Sequence, residues 1–228
     1  MTAKLVIALD TDFKKAKNII KVAKSFGFDI FKVGHLLFDT QPKILDYINS
    51  QECKILLDLK FHDIPSVIAK AVKAILKNNK IFAFTLHSLA AESMMEEVKK
   101  TVLEFKQPPL IFAVTILTSL EEKDIKKLGF KTTLKNTIFN LAKLAKDAGM
   151  DGVVCSPKEV VNIKKQFGKE FLTLVPGVSI SQKNVDQKRT DPLENVISYG
   201  ADYIVVGRSI YEADNLFETF KLLKKFFI

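Results

Sequence analysis

Eight short, largely apolar segments alternate with stretches of helical spacing, and this alternation constrains the fold more than any other feature of the sequence. The predicted strands are Lys4–Asp10, Asp29–Gly34, Cys53–Leu59, Ile81–His87, Leu110–Thr115, Asp151–Cys155, Phe171–Val175 and Asp202–Val206. Strands that are apolar on both faces are typical of parallel sheets covered by helices. Eight such strand–helix units close naturally into a barrel. We therefore predict an α/β fold, a (β/α)8 TIM barrel.

An open, doubly wound sheet is the alternative architecture for alternating strands and helices. Such sheets usually have fewer repeats, and the dinucleotide-binding ones carry a glycine-rich turn after the first strand. Here that turn reads Leu9-Asp10-Thr11-Asp12 and contains no glycine. No linker or low-complexity tract divides the 228 residues, so we predict a single domain over residues 1–228.

The segments between the strands carry apolar residues at helical spacing and predict the outer layer of the barrel. The first helix begins after Thr11 or Asp12, either of which can cap it. The other predicted helices run through Ile44–Ile48, from Pro65 to Leu76, over Ala90–Phe105, Asp124–Leu128 and Thr132–Ala148, after Pro157, around Asn195–Tyr199, and from the last strand to near Phe227. The polar segment Ser179–Asp191 shows little periodicity.

The formal net charge of +9 would admit a nucleic acid or an acidic surface as partner. The lysines, however, are spread over almost every helical segment, which indicates a solvated face, and no nucleic-acid-binding motif accompanies them. We therefore expect no nucleic-acid partner. Arginine is scarce, since Arg189 and Arg208 are the two in the chain. They are candidates for positions that need a planar fork of donors.

The sequence also carries signals about location. No apolar run approaches the roughly 20 residues needed to cross a bilayer, so we expect no membrane partner. The N-terminal residues enter a strand-like segment without the basic and apolar regions of a secretory signal. Cys53 and Cys155 lie far apart in apolar segments and are interpreted as buried free thiols in a reducing compartment. We predict a cytoplasmic protein.

Charged residues collect where the predicted strands end. In a TIM barrel the carboxyl ends of the strands form the active-site face, and the residues there are Asp10, Lys32, Asp58, Lys60, Asp63, Thr118, Pro176, Gly177, Gly207 and Arg208. If Asp58 and Lys60 are both in extended backbone, their side chains point to the same face. An alternating lysine–aspartate array keeps both kinds of group charged. A salt-bridged strand end without chemistry gives the same local pattern, and residues 58–65 alone do not separate the two interpretations.

Gly207 and Arg208 follow the last predicted strand. Barrels commonly bind phosphate in the loops after strands seven and eight, with backbone N–H groups as donors. Glycine lets the backbone approach an anion closely, and arginine offers a bidentate donor. We therefore predict a phosphate site at this turn, in preference to a surface arginine.

These residues belong to a set of motifs that resembles the orotidine 5′-phosphate decarboxylase family. The motifs occur in the family's order over nearly the whole chain: Ala8-Leu9-Asp10, Phe31-Lys32-Val33-Gly34, Asp58 to Pro65, Leu117-Thr118-Ser119, Val175-Pro176-Gly177-Val178, Asp186-Gln187, and Gly200 through Arg208. The pattern Asp-x-Lys-x-x-Asp also occurs in related sugar-phosphate aldolases and decarboxylases. Lys32 discriminates between them, because the hexulose-phosphate synthase relatives carry a glutamate at that position.

The resemblance implies decarboxylation of orotidine 5′-monophosphate to UMP, the last step of de novo pyrimidine biosynthesis, with no cofactor and no metal. It implies a catalytic set of Lys32, Asp58, Lys60 and Asp63, in which Lys60 donates the proton to C6. Asp63 would enter the site from the second subunit of a homodimer. The implied substrate-binding residues are Asp10 and Lys32 for the ribose, Thr118 for the pyrimidine, Pro176, Gln187 between base and phosphate, and Gly207 with Arg208 for the phosphate. The polar segment Ser179–Thr190 would close over the substrate as a lid.

Some positions depart from the family's pattern or have no assigned role. Ser179 stands where the family usually has arginine, and Val67 stands where it usually has threonine, which puts one phosphate contact and one cross-subunit contact in doubt. Of the histidines, His62 suits an interface role and His87 is expected to bond backbone groups beneath the site. His35 has no partner that the sequence indicates.

Two other functions stay open on the sequence. The first is a magnesium-dependent sugar-phosphate aldolase or decarboxylase of the same superfamily, similar to hexulose-phosphate synthase. It needs a metal-binding carboxylate where Lys32 stands. The second is a basic nucleic-acid-binding protein, which only the net charge of +9 suggests.

Overall fold

The computed structural model describes residues 3–40, 42–180 and 191–227. The strands within these ranges are β1 Lys4–Ala8, β2 Ile30–Val33, β3 Lys54–Phe61, β4 Ile81–His87, β5 Leu110–Val114, β6 Gly152–Val154, β7 Leu172–Val175, β8 Val178–Ser179, β9 Asp191–Pro192 and β10 Tyr203–Val206. The strands β1 to β7 and β10 close into a barrel in the order β1-β10-β7-β6-β5-β4-β3-β2, and each pairs with its neighbours in parallel. The prediction of a (β/α)8 TIM barrel is confirmed. The short strands β8 and β9 pair separately at the two ends of the segment 180–190.

Helices cover the outside of the barrel. Those in the described ranges are α1 Phe13–Ser25, α2 Leu36–Thr40, α3 Lys43–Ser50, α4 Pro65–Asn78, α5 Ala91–Val102, α6 Glu122–Lys127, α7 Leu134–Asp147, α8 Val160–Phe167, α9 Leu193–Ser198, α10 Arg208–Tyr211 and α11 Leu216–Lys224. Within the described part of the chain, no helix combines the length and the apolar character that a membrane span requires.

Local capping explains where several helices begin. Asp12, rather than Thr11, caps α1, since its carboxylate accepts the Lys15 N–H at 2.9 Å. Two helices, α2 and α3, follow β2, where one was predicted. The second begins after Pro42, because proline has no N–H to donate to the hydrogen bonds of a preceding helix. Two helices also follow β10, because the Asn215 side chain caps α11 separately.

The apolar residues form two layers, as the alternation of side chains along a strand requires. One cluster draws residues from every strand of the barrel and fills its interior; Phe112 of β5 and Tyr203 of β10 meet there with ring centroids 5.5 Å apart. A larger cluster packs the outer faces of the strands against the helices. The barrel interior is therefore a packed core, which leaves the strand ends for function.

Two aspartates brace the amino-terminal face of the barrel. Asp202, just before β10, accepts the N–H and the hydroxyl of Thr173 in β7 at 2.7 and 3.0 Å, and it pairs with Lys164. Asp151, just before β6, accepts the N–H of Ile111 in β5 at 2.8 Å and pairs with a lysine of α5. These charges tie neighbouring strands together at the face opposite the candidate site.

Candidate active site

The carboxyl ends of β1, β2 and β3 bring four charged side chains into one alternating row. Lys32 Nζ lies 3.1 and 3.2 Å from the two carboxylate oxygens of Asp10. The same ammonium lies 3.3 Å from Asp58 Oδ2. Lys60 Nζ completes the row at 2.9 Å from Asp58 Oδ1. The lysine–aspartate row, as we call Asp10, Lys32, Asp58 and Lys60, therefore has no two like charges as direct neighbours.

The backbone at Lys60 differs from the extended conformation considered in the sequence. Lys60 has a φ of 48°, in the left-handed region that non-glycine residues rarely occupy. The pairing of β3 with β4 also shifts register between Leu57 and Phe61. The premise of simple strand alternation is thus wrong at Lys60, although its ammonium still reaches Asp58. Strained backbone of this kind persists only where the surroundings hold it.

Thr85 of β4 stabilises this backbone conformation, and the sequence analysis did not identify Thr85 as a site residue. Its fully buried hydroxyl accepts the Lys60 N–H at 3.0 Å and donates to Asp58 Oδ1 at 2.9 Å. One hydroxyl therefore fixes both the turn that carries Lys60 and the carboxylate between the two lysines. The alternation of apolar residues in β4 gives no sign of this role.

The row controls the charge of its own members. The Asp58 side chain is only 14% exposed. Burial alone would raise the pKa of Asp58, but the neighbouring charges of Lys32 and Lys60, with hydrogen bonds from Lys60 and Thr85, lower it below the usual value. Burial would likewise lower the pKa of Lys32, and the carboxylates of Asp58 and Asp10 raise it instead. Both central groups are charged at neutral pH.

A cavity of about 250 Å³ opens above the row. Its lining includes the members of the row, Thr118 after β5, and residues that follow β7 and β10. The lining residues that concern the site are Asp10, Lys32, Asp58, Lys60, Thr118, Pro176, Gly177, Ser179, Gly207, Arg208, Ser209 and Tyr211. The structure thus brings together all but two of the site residues predicted from sequence. Gln187, with the neighbouring Arg189, lies outside the described residues, and Asp63 is elsewhere on the surface.

The turn after β10 forms the side of the cavity next to Asp10, because β10 pairs with β1. Gly207 precedes α10, and a Cβ at this position would lie 3.3 Å from the Ala8 Cβ and 3.4 Å from a ring carbon of Tyr211. The backbone therefore passes closer to its neighbours than a side chain comfortably allows. Arg208 opens α10 and lines the cavity. Tyr211, which sequence reasoning missed, lines it as well, and burial together with the Asp10 charge raises the pKa of its phenol.

Asp63 is exposed and is not among the described residues that line the cavity of its own chain. Its carboxylate accepts the N–H of Ile64 at 2.7 Å. Exposed apolar residues follow it at the start of α4: Ile64, the N-cap, is 61% exposed and Val67 is 43% exposed. An acidic residue beside exposed apolar ones is suited to contact another protein surface.

The three histidines lie near the mouth of the barrel. His62 and His87 stack with ring centroids 5.3 Å apart. His87 Nδ1 accepts the Leu89 N–H at 3.4 Å, a backbone contact of the kind predicted for it. Burial, with further contributions from His62 and Lys60, lowers the pKa of His87 to about 4. His35, for which the sequence indicated no partner, has its Nδ1 3.8 Å from Asp10 Oδ1.

The fold and the site together define a TIM-barrel enzyme whose centre is a lysine–aspartate row facing an arginine-bearing turn. A sequence model described as "Orotidine 5'-phosphate decarboxylase / HUMPS family" matches residues 3–222. The chain belongs to this family, as the motifs in its sequence indicated.

Individual relatives agree with the family match. The chain is 39% identical over 222 residues to the orotidine 5′-phosphate decarboxylase of Carboxydothermus hydrogenoformans, covering 94% of this chain and 92% of that protein. It is 35% identical over 226 residues to the enzyme of the same name from Pasteurella multocida, covering 97% and 96%. The crystal structure of orotidine 5′-phosphate decarboxylase from Lactobacillus acidophilus superposes with a TM-score of 0.85 at 28% identity, covering 99% of both chains.

Proposed function

We propose that this chain decarboxylates orotidine 5′-monophosphate to UMP, the last step of de novo pyrimidine biosynthesis. The observation that carries the proposal is the lysine–aspartate row in one cavity with Arg208. Relatives that share more than a third of its residues over nearly their whole length bear the name of this activity.

The shape of the cavity suggests how the nucleotide lies in it. The phosphate belongs at Gly207 and Arg208, because a guanidinium and an approachable backbone favour a dianion. Asp10 and Lys32 then face the ribose hydroxyls, and the pyrimidine extends over Asp58 and Lys60. The remaining proposed contacts are Thr118 to the pyrimidine, Pro176 at the cavity wall, and Gln187, from outside the described residues, between base and phosphate.

The proposed reaction breaks the bond between C6 and the carboxylate carbon. CO₂ leaves, and the electron pair of that bond stays on C6 in an orbital that the ring π-system cannot delocalise. The Lys60 ammonium, held 2.9 Å from Asp58, is a fixed positive charge for this developing anion and then transfers its proton to C6. A proton from solvent restores the ammonium, so the net reaction consumes one proton and yields UMP and CO₂.

Asp58 has two roles in this scheme. Its carboxylate orients Lys60, and three donors keep it ionised: Lys32, Lys60 and the Thr85 hydroxyl. A fixed negative charge next to the substrate carboxylate also favours the transition state, in which that carboxylate loses its charge. Because the phosphate is remote from C6, its binding energy can order the site without stabilising the ground state at the reacting carbon.

The magnesium-dependent alternative needs a different residue type at position 32. It requires a carboxylate where Lys32 stands, whereas the Lys32 ammonium bridges Asp10 and Asp58. The row thus places a lysine cation where that chemistry would place a carboxylate ligand. We propose that the reaction uses the row and needs neither metal nor organic cofactor.

Loss of the orotate-ring absorbance tests the activity directly. We expect turnover of orotidine 5′-monophosphate by chelator-treated enzyme at the same rate with and without added Mg²⁺. Lys60→Ala should abolish turnover while UMP still binds. Lys54→Ala is the matched control, because Lys54 lies on the same strand, at the opposite end, in an exposed pair with Asp29. Unchanged absorbance with folded protein, or activity that appears only with Mg²⁺, would refute the proposal.

The phosphate site has its own test. Arg208→Ala should weaken binding of UMP much more than binding of uridine, measured by calorimetry, because only the nucleotide carries the anion. A charge-assisted bidentate contact contributes about 1.5–3 kcal/mol, which corresponds to roughly a 10- to 100-fold difference in Kd. Equal losses for both ligands would remove Arg208 from the phosphate site.

We further propose that two copies form a homodimer in which Asp63 of each completes the site of the other. Its exposure, its absence from the lining of its own chain's cavity and its apolar neighbours Ile64 and Val67 support this. Inactive Lys60→Ala and Asp63→Asn variants, mixed and allowed to exchange subunits, should regain activity. One site of the mixed dimer then holds both native residues. No recovery despite verified exchange would place Asp63 outside the shared site.

Both cysteines lie in apolar surroundings as free thiols, and burial raises the pKa of each. Such thiols are typical of proteins in a reducing compartment. Together with a role in nucleotide biosynthesis, this supports the cytoplasm as the place of action.

A further inference from the structure

His35 stands beside the end of the lysine–aspartate row. It follows Gly34 in the loop between β2 and α2, and its Nδ1 lies 3.8 Å from Asp10 Oδ1. Its side chain is 59% exposed and that of Asp10 is 31% exposed. On its other side, the Asp10 carboxylate accepts two hydrogen bonds from Lys32, at 3.1 and 3.2 Å. Asp10 is thus positioned between a permanent cation and an imidazole.

A separation of 3.8 Å is too long for a hydrogen bond but short enough for an ion pair. The contact therefore depends on the charge of the imidazole. A neutral His35 leaves the carboxylate of Asp10 to other donors, whereas a small rotation lets a cationic His35 donate to Oδ1. Histidine is the side chain whose charge ordinarily changes between pH 8 and pH 5.

We propose that His35 is a positioning residue for Asp10, and that its protonation weakens the hold of Asp10 on the sugar hydroxyls of the substrate. This inference rests on the proposed function, in which Asp10 faces the ribose. An ionised carboxylate has about four acceptor positions. Lys32 uses two of them, which leaves two for the two ribose hydroxyls. A protonated His35 takes one of these, so one hydroxyl loses its acceptor.

Other charged groups also lie near this pair. Lys32 and, behind it, Asp58 face Asp10 from β2 and β3. Tyr211, with Arg208 beside it, faces Asp10 from α10. Asp39 lies four residues after His35 in α2. Ammonium, guanidinium, carboxylate and phenol groups ordinarily titrate outside the range from pH 5.5 to pH 8.

The effect should be modest and confined to binding. Ion pairs between exposed groups are weak, so we expect protonation of His35 to raise KM roughly two- to fivefold. The turnover number should not follow, because the ribose contacts are the same in the ground state and in the transition state. A general disturbance of the fold would change both parameters.

The test is a pair of pH profiles for kcat and KM, from pH 8 to pH 5.5, with orotidine 5′-monophosphate as substrate. In the wild-type enzyme, KM should rise two- to fivefold as the pH falls, without a matching change in kcat. In His35→Gln this rise in KM should be absent. The substrate phosphate itself titrates near pH 6, but it does so equally for every variant, so the difference between variants isolates His35. His35→Lys is the matched variant, because it keeps a cation beside Asp10 throughout the pH range; its KM should already be raised at pH 8 and should lack the acid-side rise.

A second measurement keeps the inference testable if turnover is slow. Reciprocity of linkage requires UMP binding to expel the proton that opposes it. Calorimetry at pH 6 in buffers of different ionisation enthalpy should therefore show more proton release for wild-type protein than for His35→Gln. Identical KM profiles and identical proton release in the two proteins would overturn the role of His35. Absence of any turnover by folded wild-type protein would instead overturn the proposed function, so the two failures are distinguishable.

Discussion

Replacing Thr85 by valine tests the arrangement that places the proton donor. Valine keeps the shape of threonine but removes the hydroxyl, which accepts the Lys60 N–H at 3.0 Å and donates to Asp58 at 2.9 Å. The left-handed backbone of Lys60, with a φ of 48°, then loses its acceptor. We expect the ammonium and its partner carboxylate to lose their fixed positions over the cavity.

The structure sets the size of the effect. A hydrogen bond to a charged group contributes about 1.5–3 kcal/mol, and a buried N–H without a partner costs about 1–3 kcal/mol. We therefore expect Thr85→Val to lower the free energy of unfolding by about 2–4 kcal/mol. If about 1.5–3 kcal/mol of transition-state stabilisation is lost with the position of Lys60, kcat/KM falls roughly 10- to 100-fold.

The assay compares this variant with Thr173→Val. Thr173 is also fully buried, and its hydroxyl also joins a carboxylate and a backbone N–H: it donates to Asp202 at 3.0 Å and accepts the Asp202 N–H at 3.2 Å. It lies at the amino-terminal face, away from the cavity. Urea unfolding should show similar losses of stability for both variants. Only Thr85→Val should lose activity, measured at a temperature where both are folded.

Two results would refute this reasoning. Full activity of Thr85→Val despite lower stability would mean that the position of Lys60 does not depend on the hydroxyl. Equal loss of activity in Thr173→Val would mean that the effect reports the stability of the barrel and not the geometry of the site.

Three further predictions concern other parts of the site. Lys32→Met should lower the free energy of unfolding by about 3 kcal/mol, since it leaves two carboxylates without their shared cation; a loss below about 1 kcal/mol in urea unfolding would contradict this. Gly207→Ala should raise KM for the nucleotide severalfold with little change in kcat, because its Cβ would lie 3.3 Å from the Ala8 Cβ and displace the turn; an unchanged KM would argue against a phosphate at this turn. The pKa of His87 is lowered from 6.5 to about 4, so its contribution to stability is complete above pH 6.5 and is lost as the pH falls through 4. Protonation also ends its acceptance of the Leu89 N–H. The unfolding free energy of His87→Gln should therefore fall less than that of the wild type over this range, and parallel curves would contradict the assignment.

The barrel and most of the site were predictable because both follow from patterns that are local in sequence. Apolar runs mark strands, and strand ends mark the active-site face, which is how Asp10, Lys32 and Asp58 could be assigned to one rim. The structure places the Lys32 ammonium within ion-pair distance of both Asp10 and Asp58. Their chemical roles stay predictions until the variants are measured.

Features that depend on pairing between distant strands were not predictable from the sequence. Thr85 faces Lys60 only because β3 shifts register against β4 after Leu57. The register between two strands cannot be derived from a single sequence, and a threonine in a strand is too common to indicate a role. The left-handed backbone of Lys60 has the same origin, since residue type alone would favour glycine or asparagine there. Tyr211 ends the short helix α10, and its place in the cavity lining depends on how that helix sits above β10 and β1.

The contact of His35 with Asp10 shows a third limit. The two residues are far apart in sequence, and they meet because β1 and β2 pair in parallel and end at the same rim. A histidine after a glycine in a loop predicts nothing by itself. The helix predicted through Ile44–Ile48 corresponds to α3, which begins after Pro42, whereas the short helix α2 before the proline was not predicted.

The seam of the barrel has a consequence for how the protein is made. Residues 4–7 of β1 pair in register with residues 203–206 of β10, so β1 leaves the ribosome about 200 residues before its partner strand is made. At typical synthesis rates of about 5–20 residues per second, this interval lasts roughly 10–40 s. During that time one side of β1 offers unpaired backbone groups to any neighbouring nascent chain. The hazard of aggregation during translation is therefore set by elongation speed, and slow codons late in the message would prolong it.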